Sequence, residues 1–243
     1  MQTSEVKDIY NSLIKEKLDG DYENNRWFKD DIAKTGYMMT RDVINHYINS
    51  TNLIIKNYLE LGPGPGTWTK LFVQRFPTAT FDLVDISKEM LFLAKNKFAL
   101  HENINFFESD FLKFNSAKKY ELFFSSRVIE YLPDKKKAIE KIYSFLSEDG
   151  YGFIITKMPK YFINKLINRK TSALHSGQIY PRHFKKILKE SGFRNIKIYP
   201  VTMVFPFLKS AFVNKVIYKT FARLPLNFFS SLFSESYCIS FKK

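Results

Sequence analysis

The stretch Leu59-Glu60-Leu61-Gly62-Pro63-Gly64-Pro65-Gly66 ends an apolar run in a glycine-rich turn. The run, residues 52–60, predicts a buried strand, and residues 67–75 after the turn predict a helix. Glycine has no Cβ, so its backbone can approach a ligand closely and can adopt positive φ. The stretch therefore predicts a site for a nucleotide-like ligand at the carboxyl end of a buried strand.

Strand and helix patterns alternate through the rest of the chain. Short apolar runs predict further strands at residues 80–84, 104–108, 121–125, 151–157, 194–199 and 236–241. Helical patterns separate most of them, at residues 67–75, 87–98, 134–146 and 181–191. This alternation is typical of a parallel sheet with right-handed crossovers. We expect an α/β fold, a Rossmann-like sheet of seven strands with helices on both faces.

The N-terminal region lies outside this alternation. Residues 4–19 carry an amphipathic helical pattern, and residues 41–49 predict a short helix with Thr40 as its N-cap. We interpret residues 1–50 as an N-terminal helical lid and residues 51–243 as the α/β domain.

Asp85 gives further information about the ligand. It ends the second predicted strand, 19 residues beyond Gly66. An acidic side chain at about this spacing can accept hydrogen bonds from ribose hydroxyls. A dinucleotide fingerprint would need a further glycine, where Thr67 or Thr69 stands, and the Gly-Lys-Ser/Thr of a phosphate-binding loop is absent. Glu60 would repel a diphosphate but suits a cationic sulfonium ligand that carries an ammonium group.

Several motifs now appear in order. The sequence resembles the class I S-adenosylmethionine (SAM)-dependent methyltransferases over roughly residues 52–199. Their first four motifs are similar to residues 60–66, 83–91, 108–111 and 123–134. The resemblance implies the class I methyltransferase sheet, a methyltransferase activity, SAM as the cofactor and S-adenosyl-L-homocysteine (SAH) as its product.

The resemblance also implies which residues hold the cofactor. They are Glu60, Leu61, Gly62, Gly64, Gly66, Asp85, Ile86, Met90, Asp110, Phe111 and Ser126. It implies that Glu60 supports the loop and the methionine moiety, and that Asp85 holds the ribose. Ile86 and Met90 are implied to lie against the adenine, and Asp110 to meet its amino group.

The fourth motif, Ser125-Ser126-Arg127, restricts the acceptor chemistry. It lacks the Asp/Asn-Pro-Pro-Tyr/Phe motif of adenine and glutamine methyltransferases, and it lacks the clustered carboxylates of metal-dependent catechol methyltransferases. We therefore expect no metal. The one cysteine, Cys238, falls on the predicted last strand, which disfavours cytosine-C5 methylation and fits a reducing, cytoplasmic setting.

Few residues suggest a general base. The first candidates are His175, between the fifth strand and the next helix, and Tyr131, ahead of His46 and His183. A solvated or structural role for His175, and a core or rim position for Tyr131, remain the alternatives. Arg127 is a candidate for binding an anionic acceptor, or it pairs with Glu130.

Charge is distributed unevenly along the chain. Residues 1–150 hold 21 basic and 22 acidic residues, whereas residues 151–243 hold 17 basic and 2 acidic residues. The excess of positive charge in residues 151–243 predicts an anionic partner. The alternative is a basic face that is only solvated. Part of this positive charge lies in an insert, about residues 201–235, between the last two predicted strands. A predicted helix over residues 208–224 carries basic residues and phenylalanine on one side.

We interpret the insert as a lid over an apolar pocket or as a surface that lies on an anionic membrane, with extra core packing as the alternative. The predicted function is methyl transfer from SAM to an oxygen or nitrogen of a small-molecule or lipid-like, anionic acceptor. The predicted location is cytoplasmic, with a peripheral membrane contact. The competing hypotheses are an RNA-modifying methyltransferase, which we favour less because no RNA-binding module is recognised, and a non-catalytic SAM-binding subunit.

Overall fold

The computed structural model describes residues 5, 7, 8, 11, 12, 21–50, 54–159 and 177–243. In this part of the chain one sheet contains the strands β1 (Asn57–Leu61), β2 (Thr80–Asp85), β3 (Ile104–Glu108), β4 (Tyr120–Ser126), β5 (Leu146–Lys157), β6 (Arg194–Pro200) and β7 (Ser236–Lys242). Their order across the sheet is β3-β2-β1-β4-β5-β7-β6. Strand β7 is antiparallel to both neighbours, and the other neighbouring pairs are parallel. The predicted Rossmann-like sheet of seven strands is confirmed.

This topology brings the carboxyl ends of β1 to β6 to one edge of the sheet. The strand order reverses between β1 and β4, and such a switch point opens a crevice at the carboxyl edge. Strand β5 begins earlier than predicted, at Leu146, because Leu146 pairs with Tyr120 before an irregularity shifts the register to Tyr151 and Leu122.

Helices cover both faces of the sheet. They are α1 (Asp31–Ser50), α2 (Thr69–Arg75), α3 (Lys88–Lys97), α4 (Lys135–Phe145), α5 (Pro181–Glu190), α6 (Ala211–Phe221) and α7 (Phe228–Phe233). Apolar residues of α1, α2 and α6 form one core with the sheet, and those of α4 and α5 form the other. Short polar caps set several helix starts. Ser87 Oγ accepts the Met90 N–H at 3.2 Å before α3, and Asp134 Oδ1 accepts the Lys137 N–H at 2.9 Å before α4.

Helix α1 is longer than predicted, and Thr40 is not its N-cap. Thr40 Oγ1 donates to the Gly36 carbonyl at 2.9 Å, as a threonine inside a helix does. The helix begins near Asp30, whose Oδ1 accepts the Ala33 N–H at 2.7 Å. Tyr47 stacks on Phe153 of β5 at 4.1 Å between ring centroids. Residues 31–50 therefore pack on the sheet as part of its core, while the division of the chain at residue 50 stays a prediction.

The insert between β6 and β7 packs against α1 through its first helix. The Tyr218 hydroxyl of α6 donates to Asp42 Oδ2 at 2.6 Å and to the Met39 carbonyl at 3.2 Å. Arg223 Nη2 lies 3.0 Å from Asp42 Oδ2. The predicted helix over residues 208–224 is present in shorter form as α6, and α7 was not predicted. Among the described helices, none combines the length and apolar character needed to cross a bilayer.

Candidate active site

A cavity opens at the carboxyl edge of the sheet, at the switch point between β1 and β4. The empty space within it and at its open mouth is about 950 Å³. Its walls come from the loop after β1, the ends of β2 and β4, the turn after β3, and the segment before α1. The lining residues are Tyr22, Arg26, Trp27, Leu61, Gly62, Pro63, Gly64, Pro65, Thr67, Trp68, Asp85, Ile86, Met90, Ser109, Asp110, Phe111, Ser126, Arg127, Val128, Tyr131 and Leu132.

The glycines of the loop after β1 are required by its geometry. Gly62 has φ of 69° and donates its N–H to the Val84 carbonyl at 2.8 Å. A Cβ at Gly62 would lie 2.2 Å from Val128 Cγ2. Gly64, with φ of 56°, faces open space, since a Cβ there would meet only Met90 Sδ, at 3.9 Å. A side chain at Gly64 would therefore fill the cavity, which fits a loop that supports a bound cofactor.

Asp85 lies where β2 ends and is held by backbone donors. Its Oδ2 accepts the Gly64 N–H at 3.1 Å, and its Oδ1 accepts the Ser87 N–H at 3.0 Å. Burial raises the pKa of Asp85 to about 6, while these hydrogen bonds oppose the shift. The carboxyl is therefore ionised at neutral pH, inside the cavity and in contact with the glycine loop.

The comparisons with known proteins agree with this geometry. The family model described as a methyltransferase domain matches residues 59–150, which run from β1 into β5. Magnesium protoporphyrin IX methyltransferase from Synechocystis PCC 6803, solved with bound SAH, superposes with a TM-score of 0.67 at 16% identity over 100% of both chains. N-methyltransferase NodS from Bradyrhizobium japonicum, also with SAH, gives 0.62 at 15% identity over 96% of this chain and 97% of that chain. Residues 59–150 therefore match a methyltransferase domain, and the chain has the class I SAM-dependent methyltransferase fold.

Curated methyltransferases from other organisms match part of this chain. Malonyl-[acyl-carrier protein] O-methyltransferase 2 from Ilyobacter polytropus is 35% identical over 94 residues, which are 39% of this chain and 36% of the relative. Trans-aconitate 2-methyltransferase from Rhodopseudomonas palustris is 31% identical over 91 residues, 37% of this chain and 34% of the relative. The chain thus matches about a third of the length of these relatives.

Most of the predicted cofactor residues line the cavity. Leu61, Gly62, Gly64, Asp85, Ile86, Met90, Asp110, Phe111 and Ser126 line it. Gly66 is not among the lining residues; its Cβ would lie 2.4 Å from Phe98 Cε2, so it packs beneath the loop. The Asp110 carboxylate accepts the Leu112 N–H at 2.9 Å, which orients it at the wall. The cofactor roles of these residues stay predictions.

Glu60 lies beneath the loop rather than in the wall of the cavity. Its Oε2 accepts the Tyr58 and Thr69 hydroxyls, each at 2.9 Å, and the residue is 1% exposed. Burial raises the pKa of Glu60 to about 8. The carboxyl is therefore mostly neutral at pH 7. The predicted support of the loop fits this position, and the predicted interaction of Glu60 with a cationic ligand stays a prediction.

The mouth of the cavity is lined by a short segment that the sequence patterns did not single out. Tyr22, Arg26 and Trp27 lie there, and the last two belong to the π-helical turn Asn24–Phe28. The Arg26 guanidinium lies over the Tyr22 ring at 5.6 Å and the Trp27 ring at 5.1 Å. Trp27 packs edge-on against Trp68 at 5.4 Å. The aromatic side chains within a polar, turn-rich stretch were the available signal.

Arg127 enters the cavity from an unusual backbone position. Its φ is 62°, and its N–H donates to the Ile155 carbonyl at 2.8 Å. The guanidinium donates to Ser236 Oγ at 3.3 Å, and burial lowers the pKa of Arg127. Glu130, the alternative partner, accepts instead from Thr156 Oγ1 at 2.7 Å.

A basic group surrounds Arg127. Burial first, and then repulsion by Arg127, lower the pKa of Lys157 at the end of β5, and Arg26 acts in the same direction. Two carboxylates, Glu130 and Glu235, oppose these effects. The group therefore places two partly buried cations, Arg127 and Lys157, near the exposed Arg26, and an anion could relieve their repulsion.

Of the two first candidates for a general base, the structure describes only Tyr131. Tyr131 lines the cavity, and its catalytic role stays a prediction. His175 lies outside the described residues. Within those residues, no group of three or more histidine, cysteine or acidic side chains is arranged to hold a metal ion.

Proposed function

We propose that this chain binds SAM and transfers its methyl group to an oxygen or nitrogen atom of an anionic small molecule. The observation that carries the proposal is one cavity that is lined by the glycine loop, by Asp85 and by Arg127. The first pair suits a nucleoside cofactor, and the arginine suits a negatively charged acceptor.

The residues present fit the cofactor. The open space above Gly64 leaves room against the loop backbone, and the Asp85 carboxylate can accept hydrogen bonds from ribose hydroxyls. Ile86, Met90 and Phe111 supply an apolar wall for the adenine ring. When bound, SAM supplies an electrophilic methyl group on a sulfonium. The cavity contributes by holding the acceptor close and aligned and by excluding water.

The acceptor is proposed to be anionic because of the cations at the mouth. Arg127 and Arg26 line the cavity, and Lys157 is close enough to Arg127 for repulsion to lower its pKa. A guanidinium can bind a carboxylate or phosphate through two parallel hydrogen bonds. Two of the relatives are named for malonyl and trans-aconitate groups, both of which carry carboxylates. A carboxylate-bearing acceptor is therefore our first choice.

The decisive experiment follows methyl transfer from radiolabelled SAM to a panel of acceptors. The panel contains a malonyl thioester, trans-aconitate, neutral esters of both, simple amines, anionic phospholipid and RNA. We expect transfer to a carboxylate-bearing acceptor and little to its neutral ester. Calorimetry with SAM and SAH measures cofactor binding separately, so a wrong acceptor class and a wrong cofactor give different results.

Substitution of Arg127 tests the proposed acceptor contact. In Arg127→Gln the KM for the anionic acceptor should rise about 10- to 100-fold, because a charge-assisted hydrogen bond contributes roughly 1.5–3 kcal/mol. SAH affinity should stay unchanged, and Arg127→Lys should recover part of the loss. Arg75→Gln, at the exposed end of α2, is the matched control. An equal loss for charged and neutral acceptors would contradict the assignment of Arg127.

The same panel separates the competing hypotheses. Methyl transfer to RNA and to none of the small acceptors would support an RNA-modifying enzyme. Tight SAH binding without transfer to any acceptor would support a non-catalytic SAM-binding subunit. Failure to bind either SAM or SAH would overturn the whole proposal.

A further inference from the structure

The insert between β6 and β7 lies at the same edge of the sheet as the cavity. Pro200 ends β6 at the carboxyl edge, and the antiparallel β7 begins at that edge with Ser236. Ser236 Oγ is also the acceptor for the Arg127 guanidinium, at 3.3 Å. The insert therefore leaves the sheet and rejoins it at the carboxyl edge, beside the cavity. Its outer surface lies on the same side of the molecule as the cavity.

That outer surface is unusually apolar. Phe207 is 78% exposed, Phe212 75% and Phe228 72%, and all three belong to the insert. The insert carries further exposed apolar side chains, namely Leu208, Val216, Leu224, Phe229 and Leu232. Phe205 links two of the segments, since its ring lies 6.1 Å from Phe207 and 5.9 Å from Phe233. A group of exposed apolar residues of this size marks an interaction surface more often than a solvated one.

Basic side chains flank the exposed rings. Lys209 precedes α6, and Lys215 and Lys219 lie on its exposed side together with Phe212 and Val216. The sequence contains no acidic residue between Glu190 and Glu235. Arg223 is already engaged by Asp42 of α1. We call Phe207, Leu208, Phe212, Val216, Phe228, Phe229, Lys209, Lys215 and Lys219 the insert face.

We propose that the insert face binds the surface of an anionic phospholipid bilayer. Exposed aromatic and aliphatic side chains can enter the boundary between headgroups and acyl chains, while the flanking lysines attract anionic headgroups. The positive charge of the face, with no acid to neutralise it, is complementary to such a surface. The contact would hold the edge of the molecule that carries the cavity close to the membrane.

Two other occupants fit the observations less well. A symmetric contact with a second copy would bring like-charged lysines together, and the insert face contains no carboxylate to pair with them. RNA would use the lysines and could stack on the rings. The aliphatic Leu208, Val216 and Leu224 offer nothing to a base or a phosphate, whereas they suit acyl chains.

The test is flotation of the full chain with vesicles of phosphatidylcholine alone or with about a third phosphatidylglycerol. We expect binding to the anionic vesicles that weakens with added salt. Lys215→Gln with Lys219→Gln should lower the partition coefficient about 25-fold, since each basic residue near a membrane contributes roughly fivefold. Phe207→Ser with Phe212→Ser should lower it on the order of a hundredfold, given the apolar area lost.

Matched controls lie elsewhere on the surface. Phe92→Ser removes an aromatic ring of α3 that is 61% exposed, and Lys186→Gln with Lys189→Gln removes two exposed charges from α5. These variants should bind vesicles as the wild type does. All variants should retain SAH affinity and melting temperature, which shows that they fold.

Three outcomes would overturn the proposal. One is the absence of flotation with anionic vesicles. Another is an equal loss of binding in the control variants. The third is burial of the insert face in a stable dimer, detected by light scattering and abolished by Phe207→Ser with Phe212→Ser. Binding to RNA without binding to vesicles would assign the same face to a nucleic acid instead.

Discussion

Replacing Glu60 by glutamine should change how the stability of this protein depends on pH. The carboxyl is 1% exposed, and burial raises its pKa from 4.5 to about 8. In the unfolded chain it ionises near its usual pKa. Between these two values the folded protein keeps a proton that the unfolded chain has released, so the associated stability is present below pH 4.5 and is lost as the pH rises to about 8.

The size of this effect follows from the two pKa values. At about 1.36 kcal/mol per pKa unit, Glu60 lowers the free energy of unfolding by about 1 kcal/mol at pH 5 and by about 3 kcal/mol at pH 7. Glutamine cannot ionise in either state, and its carbonyl can still accept the Tyr58 and Thr69 hydroxyls. The gain in stability of Glu60→Gln over wild type should therefore be about 2.5 kcal/mol larger at pH 7 than at pH 5.

Urea unfolding followed by tryptophan fluorescence would measure this difference. The titration is run on cofactor-free protein between pH 5 and 8 at constant ionic strength, because a ligand that binds only the folded state would add its own stabilisation. Glu140→Gln, at an exposed position of α4, makes the same chemical change and should leave the curve as in wild type. A constant difference between Glu60→Gln and wild type across this pH range would refute a buried, neutral carboxyl.

Four further predictions concern the cavity, its loop, helix α1 and the insert. SAH affinity, measured by calorimetry, should fall by up to about tenfold per pH unit below pH 6 as Asp85 gains a proton, and Asp85→Asn should be weak and nearly independent of pH. Gly62→Ala should lower the free energy of unfolding by about 2–4 kcal/mol, because its Cβ meets a side chain and its φ is positive. Gly36→Ala, whose Cβ has space inside α1, should instead stabilise by about 0.5–1 kcal/mol, and denaturant melts would show both signs. Tyr218→Phe removes two hydrogen bonds to α1 and should cost roughly 1–3 kcal/mol in the same assay, with no change in SAH affinity.

Local residue patterns were sufficient to predict those strands and helix starts that depend mainly on neighbouring residues in the sequence. Apolar runs that end in turn residues predicted the strands, and Ser87 and Asp134 are helix caps that act on their own next turn. Helix α1 was predicted too short because threonine is a good N-cap and is also tolerated inside a helix. Only the packing of residues such as Tyr37 and Met39 into the core decides between the two.

Residue patterns along the chain were enough to predict the class I sheet, the glycine loop and the acidic residue that ends β2, because these depend on spacing along the chain. Tertiary structure decided the rest. The charge state of Glu60 depends on burial by residues distant in sequence, and the approach of Arg26, Arg127 and Lys157 depends on how separate segments meet at one edge. Charge and burial are properties of three-dimensional surroundings, so no local pattern of residues could have supplied them.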